Sequence, residues 1–111
     1  MNDIQKPVAA PLFTIPAPKF EKLPTQNFGT VTVSAPSPAF IEKLVGAADK
    51  TKDPDIYYRQ LVAECVTGEH GERFTPALLA SLPGNCYVDW LQLRAAAIRV
   101  CGLSQEDNEK N

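Results

Sequence analysis

The sequence predicts a mainly α domain of the α+β type: a small four-helix unit preceded by a short N-terminal β-hairpin and a disordered, proline-rich N-terminal arm. Three observations lead there. Cap-and-stop punctuation recurs along residues 37–103, with Ser37-Pro38, Asp53-Pro54, Thr75-Pro76 and Asn85 as starts and Gly68, Pro83-Gly84 and Gly102 as stops. The run Thr30-Val31-Thr32-Val33 alternates with period two, as a half-buried strand does. Of the ten prolines, seven lie at positions 7, 11, 16, 18, 24, 36 and 38. Proline removes a backbone donor and fixes φ, so that density excludes a continuous helix there.

The chain divides into a flexible arm over 1–18, one globular domain over 19–104 (hairpin 19–33, helices 37–103) and a polar tail over 105–111. Phe20-Glu21-Lys22-Leu23 and Thr30 to Val33 are the two strands, with Pro24, Asn27 and Gly29 supplying turn chemistry between them. An isolated hairpin is marginal in water, so Phe20, Leu23, Val31 and Val33 are expected to lean on the helices. Ser37-Pro38 opens the first helix, on which Phe40, Ile41, Leu44 and Val45 repeat at helical spacing, and Gly46 weakens its last turn. Asp53-Pro54 opens the second, with a stripe of Tyr58, Leu61, Val62, Cys65 and Val66 running to a stop at Gly68.

Glu69 to Glu72 is a polar turn, its carboxylates read as solvated. Thr75-Pro76 starts a short third helix that presents Leu78, Leu79 and Leu82 before Pro83-Gly84 ends it. Asn85 then caps the longest helix, Cys86 to Cys101. Its core side is read as Tyr87, Trp90, Leu91, Ala97, Ile98 and Cys101, with Asp89, Gln92 and Arg99 facing water. Leu93, Ala96 and Val100 widen the apolar side beyond the stripe of roughly 100° that one core needs, which predicts a second contact. Leu61, Leu78, Leu82, Trp90 and Ile98 are the expected shared core.

Composition sets limits on function. A chain of 111 residues with 44% apolar content supports one modest core. A net charge of −2 and a pI of 5.3 offer phosphate no global attraction. No apolar run suits a signal peptide or a membrane span, so the expected location is cytoplasmic. Cys65, Cys86 and Cys101 are odd in number and widely spaced, which does not fit a secreted disulfide framework, and they are read as reduced, mostly buried thiols. His70 is the single histidine and no Cys or His pair stands at metal-ligand spacing, so no metal, cofactor or catalytic residue is expected. Cys65, on the apolar stripe, is read as a core thiol rather than a nucleophile paired with His70.

Trp90, Tyr57, Tyr58 and Tyr87 place amphipathic rings at helix starts and edges, the residue types enriched at protein interfaces. Leu12, Phe13 and Ile15 give the arm an apolar segment suited to ordering on a partner.

In order along the chain, Gly29 to Val33, Leu61 to Ala63, Gly71-Glu72-Arg73-Phe74-Thr75, Leu82-Pro83-Gly84, a Leu- and Ala-rich helix, Gly102-Leu103-Ser104 and an acidic end closing on Glu109-Lys110-Asn111 resemble the tail assembly chaperones of tailed bacteriophages. The resemblance covers residues 28–111; the N-terminal arm departs from it. It implies a non-enzymatic protein that binds the long tape-measure protein, keeps its apolar helices soluble, recruits tail-tube subunits in the host cytoplasm and is missing from the mature virion. It also implies that a longer frameshifted product exists in many members. The residues expected to bind protein are Tyr87, Trp90, Leu93 and Val100, meeting a client or a second copy. The alternative function is a small helical regulator that binds nucleic acid through Glu69 to Leu82, or binds protein; the shortage of Lys and Arg in that stretch counts against nucleic acid.

Overall fold

A computed structural model describes residues 12–51 and 54–103, with side chains omitted at 48–51. The capping role read for Asp53, the first eleven residues of the arm and the tail from Ser104 lie outside the described residues. Residues 12–19 carry no regular secondary structure, and Leu12, Phe13 and Ile15 are exposed.

Alternation builds the sheet. Strands β1 (Phe20–Pro24) and β2 (Thr30–Ser34) pair antiparallel, Phe20 opposite Ser34 and Leu23 opposite Val31. With period two, Glu21, Leu23, Val31 and Val33 share the inner face, and Val31 and Val33 are fully buried. The expectation for Phe20 is corrected: residues three apart on a strand point to opposite faces, so Leu23 packs inward while Phe20 remains 61% exposed.

Helix α1 spans Pro38–Thr51; the Ser37 hydroxyl accepts from the Phe40 N–H at 3.2 Å. It runs through Gly46 rather than ending there. Helix α2 spans Pro54–Cys65 and buries Leu61, Val62 and Cys65. The chain then leaves the helix three residues before Gly68: Val66–Thr67 form a short strand, β3, pairing Val33 with Val66 and Thr32 with Thr67. The sheet is therefore three-stranded and antiparallel, in the order β1-β2-β3, and the fold is a mixed α+β domain, not a helical bundle with an appended hairpin.

Helix α3 (Pro76–Ala80) is a little over one turn long, capped by Thr75, whose hydroxyl accepts from Leu78 N at 3.0 Å. A 3₁₀ turn at Gly84–Cys86 precedes helix α4, Tyr87–Cys101, so the N-cap position falls on Cys86 and not on Asn85. Gly102, at φ +67°, ends α4: its N–H and that of Leu103 return to carbonyls of the last turn, Leu103 N reaching Ile98 O at 3.0 Å. Helix α2 is central, touching α1, α3, α4 and β2, while α4 lies against both α2 and the β1-β2 hairpin.

The face of α4 differs from the sequence expectation. Asp89, Leu93, Ala96, Ala97 and Val100 are its buried residues, whereas Tyr87 and Leu91 are exposed. Two stripes at helical spacing compete on this helix. The one used carries Ala96 and Ala97, small enough to bring α4 close to its neighbours. On α3, Leu79 is buried and Leu78 is 47% exposed, because so short a helix turns only one leucine fully inward; Leu82, Trp90 and Ile98 pack partly buried against the core.

Candidate interaction surface

Three sets of side chains fasten the helices to the sheet, and they decide what is left free. The first is Asp89, fully buried in the first turn of α4. Its Oδ1 accepts from Gln26 N at 2.8 Å, and its Oδ2 accepts from Asn27 N at 2.9 Å and Asn27 Nδ2 at 2.8 Å. Burial raises this carboxyl group's pKa; the three donors outweigh it and hold the pKa below its ordinary value. Asp89, expected to face water, instead ties the hairpin turn to the start of α4.

The second set is the turn after α2. Arg73 donates to Glu64 O at 2.9 Å and Ala63 O at 3.3 Å, satisfying carbonyls that the end of α2 leaves open. The Glu69 carboxylate accepts from Thr30 N at 2.8 Å, tying the turn to β2, and Glu72 Oε1 accepts from His70 N at 2.8 Å. Its own backbone N–H and that of His70 hold the Glu72 carboxyl below its usual range. Phe74 meets Phe28 edge-on, with centroids 5.1 Å apart. With Gly71 at φ +85° and Thr75 as a cap, the run Gly71 to Thr75 is thus occupied in holding the fold together.

The third set joins the far end of α4 to β1. Arg99 Nη2 meets Glu21 Oε2 at 2.6 Å, and its Nε donates to Oε1 at 3.3 Å. Arg99 also stands in the last turn of α4, where a cation complements the helix dipole.

One open side of α4 faces the start of α2 and the end of α3. Tyr87 and Leu91 are exposed, Trp90 and Arg94 half-buried, and the four follow the i, i+3, i+4, i+7 spacing of one helical side. They line an open cleft of about 350 Å³ together with Leu82, Pro83 and Arg59. The Arg94 guanidinium lies 4.3 Å from the centroid of the Tyr58 ring, which fixes one wall. Of the four residues expected to bind protein, the structure brings Tyr87 and Trp90 to this surface and removes Leu93 and Val100 from it. The second contact predicted for Leu93, Ala96 and Val100 is made within the chain: all three belong to the core cluster with Val31, Val33 and Leu61. Leu91 and Arg94 stand beside Tyr87 and Trp90; the helical periodicity puts Leu91 on the core side, whereas the structure leaves it exposed. A further cleft of about 540 Å³ opens between α1 and α2, lined by Phe40, Leu44, Ala63, Phe74 and the already engaged Arg73.

His70 and Cys65 are not set up as a catalytic pair. His70 is exposed on its turn beside Glu72, Nδ1 to Oε2 3.6 Å, while Cys65 is buried beside Cys101. Among the described residues no group of three or more His, Cys, Asp or Glu side chains is placed to hold a metal ion, and no helix is long and apolar enough to cross a membrane. Comparison with known proteins finds no matching family model, no matching curated protein and no matching solved structure.

Proposed function

We propose that this chain is a tail assembly chaperone that binds a tape-measure protein through the Tyr87, Trp90, Leu91 and Arg94 side of α4 and helps recruit tail-tube subunits, without catalysis. The observation that carries this reading is a partly exposed aromatic and apolar stripe, Tyr87 and Leu91 exposed and Trp90 half-buried, on a helix whose core side is already filled by its own domain. An amphipathic client helix offers the same spacing in return, apolar anchors at i, i+3, i+4 and i+7 laid into a groove. Aromatic rings with a charged rim, here Arg59 and Arg94, are the composition such surfaces favour. The order of motifs from Gly29 to Gly102 supports the family; since Gly71 to Thr75 serve the fold, the client surface rests on α4 instead. Such a protein acts in the host cytoplasm and leaves before the virion is complete.

Co-expression with a tape-measure protein from the same genome tests the reading. The expected result is a higher soluble yield of the client and its retention on this chain. A client equally soluble alone and never retained contradicts the proposal, and salt-sensitive binding to DNA in its place favours the regulator.

A further inference from the structure

Helices α2 and α4 end side by side, and each ends on a cysteine: Cys65 closes α2 and Cys101 closes α4. The Sγ atoms are 3.9 Å apart. Their surroundings are unequal. Cys65 is fully buried, whereas Cys101 is half-buried and lines an open groove of about 460 Å³ with Ile41, Val45 and Leu103. A structural thiol ordinarily packs alone against hydrocarbon. Here one sulfur is reachable from outside and the second waits behind it. Cys86 stands at the opposite end of α4, roughly 22 Å away at 1.5 Å of rise per residue, and is outside this pairing.

We propose that Cys65 and Cys101 form a redox-modification site, which a small disulfide such as oxidised glutathione converts into an intrachain disulfide joining the ends of α2 and α4. The contact between the two sulfurs orders the chemistry. The Cys65 thiol, hydrogen-bonded to Cys101, lowers the Cys101 pKa, and the same contact raises that of Cys65. Cys101, which is also the sulfur that lines the open groove while Cys65 is buried behind it, is therefore the thiolate that attacks. It bonds to one sulfur of oxidised glutathione as the glutathione S–S bond breaks, and one glutathione thiolate departs. Once Cys101 is capped, its negative sulfur no longer holds the Cys65 proton in place. Cys65 loses that proton to the departing glutathione and attacks Cys101 Sγ, expelling the second glutathione, which takes a proton from water. The two protein thiols give up two electrons and two protons in all, and one oxidised glutathione becomes two reduced ones. Bond formation brings the sulfurs from 3.9 Å to about 2.05 Å, a shift shared by two last-turn side chains.

The test uses the full-length chain, purified reduced, incubated with oxidised glutathione and then alkylated for intact-mass and peptide analysis. The expected product is a monomer lighter by two hydrogen atoms, with the Cys65 and Cys101 peptides linked and Cys86 alkylated after unfolding. It should melt at a higher temperature than the reduced chain, because the bridge constrains the unfolded state. Cys65→Ser should halt at a glutathione adduct on Cys101, and Cys101→Ser should stay unmodified. The wild-type map decides the matter even where a variant folds poorly. A chain that stays fully reduced, a wild-type product that stops at the glutathione adduct, a bridge through Cys86, or a disulfide-linked dimer would each overturn the proposal.

Discussion

Asp89 does more for this fold than its place in a helix suggests. It accepts hydrogen bonds from residues more than sixty positions earlier in the chain, and with them it joins the hairpin turn to α4. Hydrogen bonds to a buried carboxylate are among the stronger ones in proteins, so Asp89→Asn, which turns an amide toward donors, is expected to cost about 1.5–3 kcal/mol at neutral pH. Urea unfolding measures it. The pH dependence has a definite sign. The folded pKa lies below the ordinary value of 3.8, so the contribution is fully present above pH 3.8 and is lost as pH falls through that value toward the folded pKa. The gap between wild type and Asp89→Asn should therefore narrow in acid; a gap that widened would contradict the assignment. None of this was legible in the sequence. Asp89 reads as a first-turn carboxylate facing water, since sequence spacing carries no sign of a backbone donor brought near by tertiary folding. Arg73 and Glu69 were hidden for the same reason, whereas Ser37, Thr75 and Gly102, whose partners lie within a few residues, were readable as caps and stop.

At the scale of elements, local signals mark the four helices of the described residues and the hairpin, because periodicity and capping chemistry are short-range. Strand β3 was not visible: two residues have no periodicity, and Val66–Thr67 are a strand only because β2 has an edge to pair. The orientation of α4 was also ambiguous, with one stripe through Tyr87, Trp90 and Leu91 and another through Leu93, Ala96, Ala97 and Val100. The choice between them rests on fit to α2 and the sheet, not on hydrophobicity. Truncation separates the two stripes. Leu93→Ala and Leu61→Ala, both fully buried, are each expected to cost about 2–5 kcal/mol. Leu78→Ala, half-exposed, should cost under about 1 kcal/mol. Thermal unfolding ranks them, and a Leu78→Ala loss equal to that of Leu93→Ala would restore the core first read from the sequence.

For the whole molecule, the domain fills its core chiefly with α2, α4 and the inner face of the sheet, and the apolar side chains it leaves exposed include Tyr87, Val88 and Leu91 on α4, single residues such as Phe20, Val45 and Leu78 elsewhere, and Leu12, Phe13 and Ile15 on the arm. Of the side chains that the sequence suggests for protein binding, the fold leaves Tyr87 exposed and Trp90 half-buried and buries Leu93 and Val100, whose chemistry is the same and which differ only in where the fold puts them. Elemental analysis of protein purified without a His-tag is expected to show no stoichiometric zinc, given the isolated His70; one zinc per chain would contradict that expectation. The central claim is that α4 presents its client surface opposite the core. Leu91→Asp places a charge on that surface at a residue 39% exposed, so the fold should tolerate it. The deciding measurement is the affinity of wild type and Leu91→Asp for the tape-measure client, read beside their melting temperatures. The account predicts at least a tenfold weakening, about 1.4 kcal/mol, with the melting temperature held; unchanged affinity in a folded Leu91→Asp protein would contradict it.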